Sequence, residues 1–307
     1  MFHRVVEHVK IPGIEISNMM FNQIIQYLEE NNYKIISLDQ MHKNLLEKRF
    51  EKGVKYIVLT FDDGYKDNYN IVFPYLQSKN IPFSIYITTD FIDKKSVLWW
   101  YLLEYLLENS NEISFSIENV EFHFSCIDRE EKNITYKKVV QLIRKLDSVA
   151  REVLFNELFI ENNVPLDKYL NEYTLNWDDV IEMSKSDLVT ICAHTVSHAS
   201  LARLSVYDVV KEVENSQKML EERIGKKVLH FAYPYGFKQD AWDREYKILN
   251  QFDFKTSVTT IEDNIKYKNA DKCSSLPRIP INGNIHSINE FKIRISGLYS
   301  LKSIFKR

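Results

Sequence analysis

The amino-acid sequence predicts a parallel α/β fold interrupted by an insertion, and three observations predict it. Short apolar, β-rich runs alternate with helical patterns towards both ends of the chain. Polar clusters follow three of these runs directly, and in parallel α/β folds active sites collect at the C-terminal ends of strands. The alternation lapses between about residues 95 and 175 and then resumes.

The elements follow in order. Residues 1–6 read as a strand. Ser17 is placed to cap a helix whose apolar face, Met20, Phe21, Ile24, Ile25 and Leu28, recurs at 3.6-residue spacing. Residues 34–38 read as a strand. So does the run 56–61, Tyr-Ile-Val-Leu-Thr-Phe, which ends in Asp62-Asp63-Gly64. A helix leads to Leu76, and 83–88 form the next strand. The middle stretch carries Trp99-Trp100, an acidic-polar segment and a helix-like run around 139–158, and reads as an insertion or subdomain. The rhythm resumes with a strand at 188–193. Ser205, with Asp208 three residues on, opens a helix with Val206, Val209, Val210, Val213, Leu220 and Ile224 on its apolar face, and Gly225 closes it. Strands at 228–233 and 255–259 complete the pattern, the first running into Pro234-Tyr235-Gly236.

At 307 residues, one large domain with an insertion and two domains both fit. A chain of this length buries enough surface to need no disulfide or metal staple. Its 45% hydrophobic and 27% charged residues exclude disorder and collagen-like repeats. A net charge of −3 carries no basic excess of the kind that points to nucleic acid. The three cysteines, Cys126, Cys192 and Cys273, are far apart and make no Cys-x-x-Cys zinc pattern, which fits a reducing compartment. The N-terminus lacks a signal-peptide pattern, and the longest apolar run, 97–107, is broken by Glu104 and too short to span a bilayer. The expectation is a cytoplasmic protein.

The three clusters carry the chemistry. Adjacent carboxylates repel, so Asp62 and Asp63 at a strand end imply a cation or a shared proton, although Asp-Gly is also a common turn dipeptide. In His194-Thr195-Val196-Ser197-His198 the histidines stand at i and i+4, which on a helical turn places both on one face where they can share a metal; two surface or capping histidines would look the same. One carboxylate with two imidazoles makes a three-ligand site with open positions, catalytic in type. The same donor set forms the facial triad of non-haem iron oxygenases, which the βα rhythm disfavours. Pro234-Tyr235-Gly236 alone is a turn; its value lies in coming third in this order.

These residues resemble the NodB-homology polysaccharide deacetylases, carbohydrate esterase family 4. Thr60–Tyr65 matches the family's T-F-D-D-G-Y segment, 194–198 its H-[ST]-x-x-H segment and 234–236 its P-Y-G segment. The likeness continues through Asn68-Tyr69, Pro74, Leu76 and 83–88, and from Trp177 to Leu276-Pro277-Arg278-Ile279, covering most of the chain outside 95–175. It implies a distorted (β/α) barrel of about seven strands, and a single deacetylase domain over 1–307 with an insertion at about 95–175. Two positions depart from the family's usual pattern. Ala232 stands where an arginine precedes the third motif, and Asn284-Ile285-His286 lacks the leucine of a Leu-x-His segment. Both departures, with Phe2-His3 on the first strand, resemble a permuted branch that deacetylates exopolysaccharide and surface polysaccharide during their assembly; the insertion resembles one found in that branch.

The resemblance implies a metal-dependent hydrolase that removes an N-acyl group, N-acetyl foremost, from a sugar. A sugar deformylase, an O-acetyl esterase and an inactive carbohydrate-binding relic are the alternatives. Asp63, His194 and His198 would hold a divalent metal, Zn²⁺ foremost, with Co²⁺ or Ni²⁺ as substitutes. The metal would polarise the acyl oxygen and acidify water. Asp62 would be the general base, the Tyr235 N–H an oxyanion donor and His3 the acid for the departing amine, with His286 its rival. Arg278 would replace the missing arginine by gripping Asp62, though a turn arginine after Pro277 would occupy the same place. Trp99 and Trp100 read more readily as core anchors than as a sugar platform. Residues 291–307 carry five cations and no carboxylate among apolar residues. They read equally as a segment lying on an anionic membrane, with a lipid-linked or nucleotide-linked sugar as substrate, and as a terminal helix packed on the barrel.

Overall fold

The structure is a computed structural model that describes residues 1–297. It divides into two compact units: Met1–Asp93 with the chain from Leu175 onward, and Lys94–Thr174. The strands in chain order are β1 (Arg4–Val6), β2 (Glu15–Ser17), β3 (Tyr33–Ile35), β4 (Lys55–Ile57), β5 (Leu59–Phe61), β6 (Phe83–Ile87), β7 (Glu112–Ile117), β8 (Val120–Ser125), β9 (Val189–Ala193), β10 (His230–Ala232) and β11 (Thr256–Val258).

In the first unit, five strands form a parallel sheet in the order β11-β10-β9-β6-β5. Single parallel bridges extend it at both edges, Phe2 beside Phe61 and Leu276 beside Val258. Residues 276–281 then hydrogen-bond to β11 through Leu276 and to the Met1 carbonyl through Ile281, so the curled sheet draws its two edges together. This is the distorted α/β barrel expected from the motifs. The strands are buried on both faces, as parallel strands covered by helices must be. One core, including Phe2, Phe61, Phe83, Phe231 and Tyr233, lies between sheet and helices; a second, including Tyr86, Cys192, Ala232 and Val258, reaches helix Leu38–Glu47.

Local chemistry explains most of the helices. Ser17 Oγ accepts the Met20 N–H and starts helix Asn18–Glu30, whose buried residues are the five of the expected stripe. Ser205 caps helix Val206–Ile224 through the Asp208 N–H, and Gly225 ends it in the left-handed region at φ 68°. Three details differ from the sequence reading. Leu38 opens a helix capped by Ser37 instead of closing a strand. The run 56–61 is broken at Val58 into β4 and β5, which belong to different sheets. Val206 is 53% exposed, being the first residue of its helix.

The second unit pairs β7 with β8 in an antiparallel hairpin turned by Glu118 and Asn119, both at positive φ. Helices Trp99–Glu108, Arg129–Ile143 and Ser148–Phe155 accompany it. Trp99 and Trp100 are buried and meet edge to face. All three cysteines are free. Among the described residues no helix is long and apolar enough to cross a membrane. Of the basic C-terminal segment, helix Ile288–Ile295 turns Phe291 into the core against Tyr27, and Arg294 pairs with Glu262; residues 298–307 lie outside the described residues.

Candidate metal centre and its surroundings

The site stands at the C-terminal ends of β5, β9 and β10, beside the strand that begins the chain. Just past β5 the backbone enters the left-handed region twice, at Asp63 (φ 76°) and Gly64 (φ 82°). Neighbouring carboxylates that repel are thereby given different partners. Asp62 meets Arg278, and Asp63 meets the two histidines.

Asp63 Oδ1 lies 3.4 Å from His194 Nε2 and 3.2 Å from His198 Nε2. It is buried and makes no well-directed hydrogen bond, although polar atoms so placed ordinarily find one. One donor atom from each of the three residues falls within 4.8 Å of the others. The Nδ1 of His194 lies 2.8 Å from the Ala232 carbonyl, a contact only an N–H can satisfy, so the Nε2 lone pair is left facing Asp63. Burial holds the His198 imidazole below its ordinary pKa against the pull of Asp63. Burial opposes ionisation of Asp63, yet the histidines in their charged form would hold its carboxyl well below the usual range. Neutral imidazoles and an ionised carboxylate are the forms that bind a metal. The donor set, its burial and its convergence fit a divalent cation.

The histidines do not meet as two residues of a helical turn. His194 directly follows β9, and His198 is reached through a loop with Thr195 (φ 66°) and His198 (φ 60°) both left-handed. A left-handed β-branched residue is an outlier of the kind that clusters at functional sites.

Arg278 grips Asp62 with both terminal nitrogens, each at 2.6 Å, and its Nε donates to the Thr259 carbonyl at 3.0 Å. Its guanidinium lies over the Tyr86 ring at 5.2 Å. Burial alone would push the Asp62 carboxyl up; Arg278, aided by His194 and His3, outweighs it and holds Asp62 below the ordinary range. At Ala232 the group that meets the site is the backbone carbonyl, which accepts from His194 Nδ1.

Tyr235 is left-handed (φ 59°), with its ring 4.8 Å from that of His198. The Pro234 carbonyl accepts the Gly236 N–H at 2.6 Å. The Pro234–Tyr235 peptide bond is trans, so the Tyr235 N–H points the opposite way along that peptide plane. Gly236 is required here: at φ 67° its added Cβ would stand 2.7 Å from the Thr260 nitrogen.

The Phe2 N–H donates to the Thr60 carbonyl and the Asp62 N–H to the Phe2 carbonyl, so the first strand runs alongside β5 and delivers His3 beside the Asp pair. The charge of His3 bears on Asp62, Asp63 and His198. His286 is exposed, and its N–H caps onto Glu290.

Sequence reasoning missed the groups that fix this first strand. Asp67 accepts the Val5 N–H and the Arg4 Nε, and Asn68 donates its side-chain amide to the His3 carbonyl at 2.9 Å.

A profile of the family described as Polysaccharide deacetylase matches residues 50–119 and 128–257, well over half of the chain. No curated protein sequence matches it. The fold is similar to that of the Streptococcus pyogenes deacetylase PplD in complex with acetate, at 18% identity and TM-score 0.61 over 95% of both chains. It is also similar to a de-N-acetylase from Aggregatibacter actinomycetemcomitans, at 18% identity and TM-score 0.59 over 95% of this chain and 96% of that one. A third likeness is to IcaB from Ammonifex degensii, at 17% identity and TM-score 0.56 over 92% of both chains.

Proposed function

The chain belongs to the polysaccharide deacetylase family, and from that premise we propose that it is a metal-dependent hydrolase removing an N-acetyl group from a sugar during surface-polysaccharide or glycoconjugate biosynthesis at the cytoplasmic face. The observation that carries the reading is the convergence of buried Asp63, His194 and His198 beside an Asp62 clamped by Arg278. We take the chain as one deacetylase domain, with 94–174 inserted in it.

Asp63, His194 and His198 would hold the cation, Zn²⁺ foremost. A cation there would supply Lewis acidity to the acyl oxygen and to water. Asp62 takes the proton of the attacking water; Arg278 keeps it ionised and aimed. The Tyr235 N–H donates to the oxyanion of the tetrahedral intermediate, a contribution of about 3–4 kcal/mol for one such donor. His3 gives its proton to the departing amine.

Elemental analysis of the purified chain should find about one zinc, cobalt or nickel per chain, and His198→Ala should lose it. Acetate release from N-acetylated nucleotide sugars, lipid-linked sugars and oligosaccharides then tests the activity and names the carrier; formate release would make it a deformylase. Iron with oxygen uptake would mark an oxygenase. No metal even after reloading would favour the inactive binding module.

His3→Ala should lower kcat by about 10²-fold or more with one metal retained, while His286→Ala leaves it near wild type. The reverse order would move the acid to the segment after Arg278.

A further inference from the structure

The loop that joins the two histidines has no helical hydrogen bonds to hold it. Left-handed backbone costs a non-glycine residue about 1–2 kcal/mol, and it persists only where the surroundings over-determine it. On one side the loop carbonyls are fastened: the Thr89 N–H donates to Thr195 at 3.3 Å and the Asp90 N–H to Val196 at 2.9 Å. On the other side stands one carboxylate. The N–H groups of Val196 and Ser197 both donate to Glu212 Oε2 at 2.9 Å, and the Ser197 hydroxyl donates to Oε1 at 2.8 Å. Glu212 is carried on the helix Val206–Ile224, flanked by Val209 and Val213, which bury that helix in the core.

We propose that Glu212 is a positioning residue for the metal. By gripping two successive amides it fixes the turn from Thr195 to His198 and so keeps His198 Nε2 converged on Asp63 and His194. The proposal rests on the metal-dependent reading above. Glu212 meets the loop through Val196 and Ser197, so its effect passes through the loop. The role is geometric. A glutamine retains it, because its carbonyl oxygen accepts both amides while its NH₂ donates to Ser197 Oγ, which rotates to accept. An aspartate is one methylene too short, and an alanine leaves both amides without their acceptor.

The test uses the full chain stripped by chelator and reloaded with Co²⁺. Affinity is read by chelator competition, ligand geometry by the cobalt d–d absorption, and folding by the melting temperature of the metal-free protein. Groups that orient metal ligands typically change affinity about 10–100-fold when removed. That loss is expected for Glu212→Ala and Glu212→Asp, with an altered cobalt band. Glu212→Gln should bind near the wild-type level with the wild-type band, a rescue that a general loss of stability would not produce. Should Glu212→Ala fail to fold, the Asp and Gln variants carry the comparison. Wild-type Co²⁺ affinity in the Ala and Asp variants would overturn the proposal, as would a Gln variant as weak as Ala. If the unmodified chain binds no Co²⁺, the metal reading itself falls and this proposal with it. Binding by the wild type with indifferent variants discards Glu212 alone.

Discussion

Asp62→Asn is expected to lower turnover by about 10²–10⁴-fold while the chain keeps one metal. Asparagine has the same shape, and its amide oxygen still accepts from Arg278, so the geometry of the pair survives in part. The lost property is the ability to take a proton. Asp63, His194 and His198 are untouched, and Asp62 supplies none of the three converging donor atoms. Acetate release and elemental analysis on the same preparation separate the two effects. A variant with near-wild-type rates would place the base elsewhere. A variant that loses its metal would make Asp62 a ligand.

Much of this arrangement was legible because the chemistry is local. Asp62 and Asp63 end a strand marked by its apolar run, and His194 and Tyr235 follow two more. The Arg278–Asp62 pairing spans 216 residues, and its sequence cues were the empty place at Ala232 and the likeness that runs to Leu276-Pro277-Arg278-Ile279. Glu212, Asp67 and Asn68 left no such cue, because their partners are backbone groups that tertiary packing brings near. The histidine pair was seen and its backbone misjudged: i,i+4 spacing suggests a helical turn, but two left-handed residues do the same work. Helix Leu38–Glu47 was hidden because Leu38 continues an apolar run, while the Ser37 cap that interrupts it was passed over. The hairpin β7–β8 shows alternating apolar and polar residues around Glu118-Asn119, a pattern its acidic composition obscured.

The largest stability effect is expected at Arg278. In the wild type Asp62 is buried yet held below its ordinary carboxyl value of 3.8, so its contribution to stability is full above that value and is lost as pH falls through the more acidic range. Arg278→Met removes the guanidinium and leaves the burial. The carboxylate is then buried without its partner, a state that typically costs about 3–5 kcal/mol. The sign of the linkage reverses with it. Burial now pushes Asp62 up, so the variant gains relative stability as pH falls and loses it towards neutrality. Denaturant midpoints of the metal-free proteins across pH 4 to 8 (about the range where carboxylates finish titrating) read this directly. The Asp62→Asn, Arg278→Met double variant carries no buried charge at this point and should regain most of the loss at neutral pH, with no activity. That recovery distinguishes an unpaired charge from a packing defect: a cavity left by the arginine stem would persist in the double variant, whereas the charge penalty would not. If Arg278→Met is as stable as wild type at neutral pH, Asp62 has another counter-charge, and the argument that Arg278 keeps the base ionised fails.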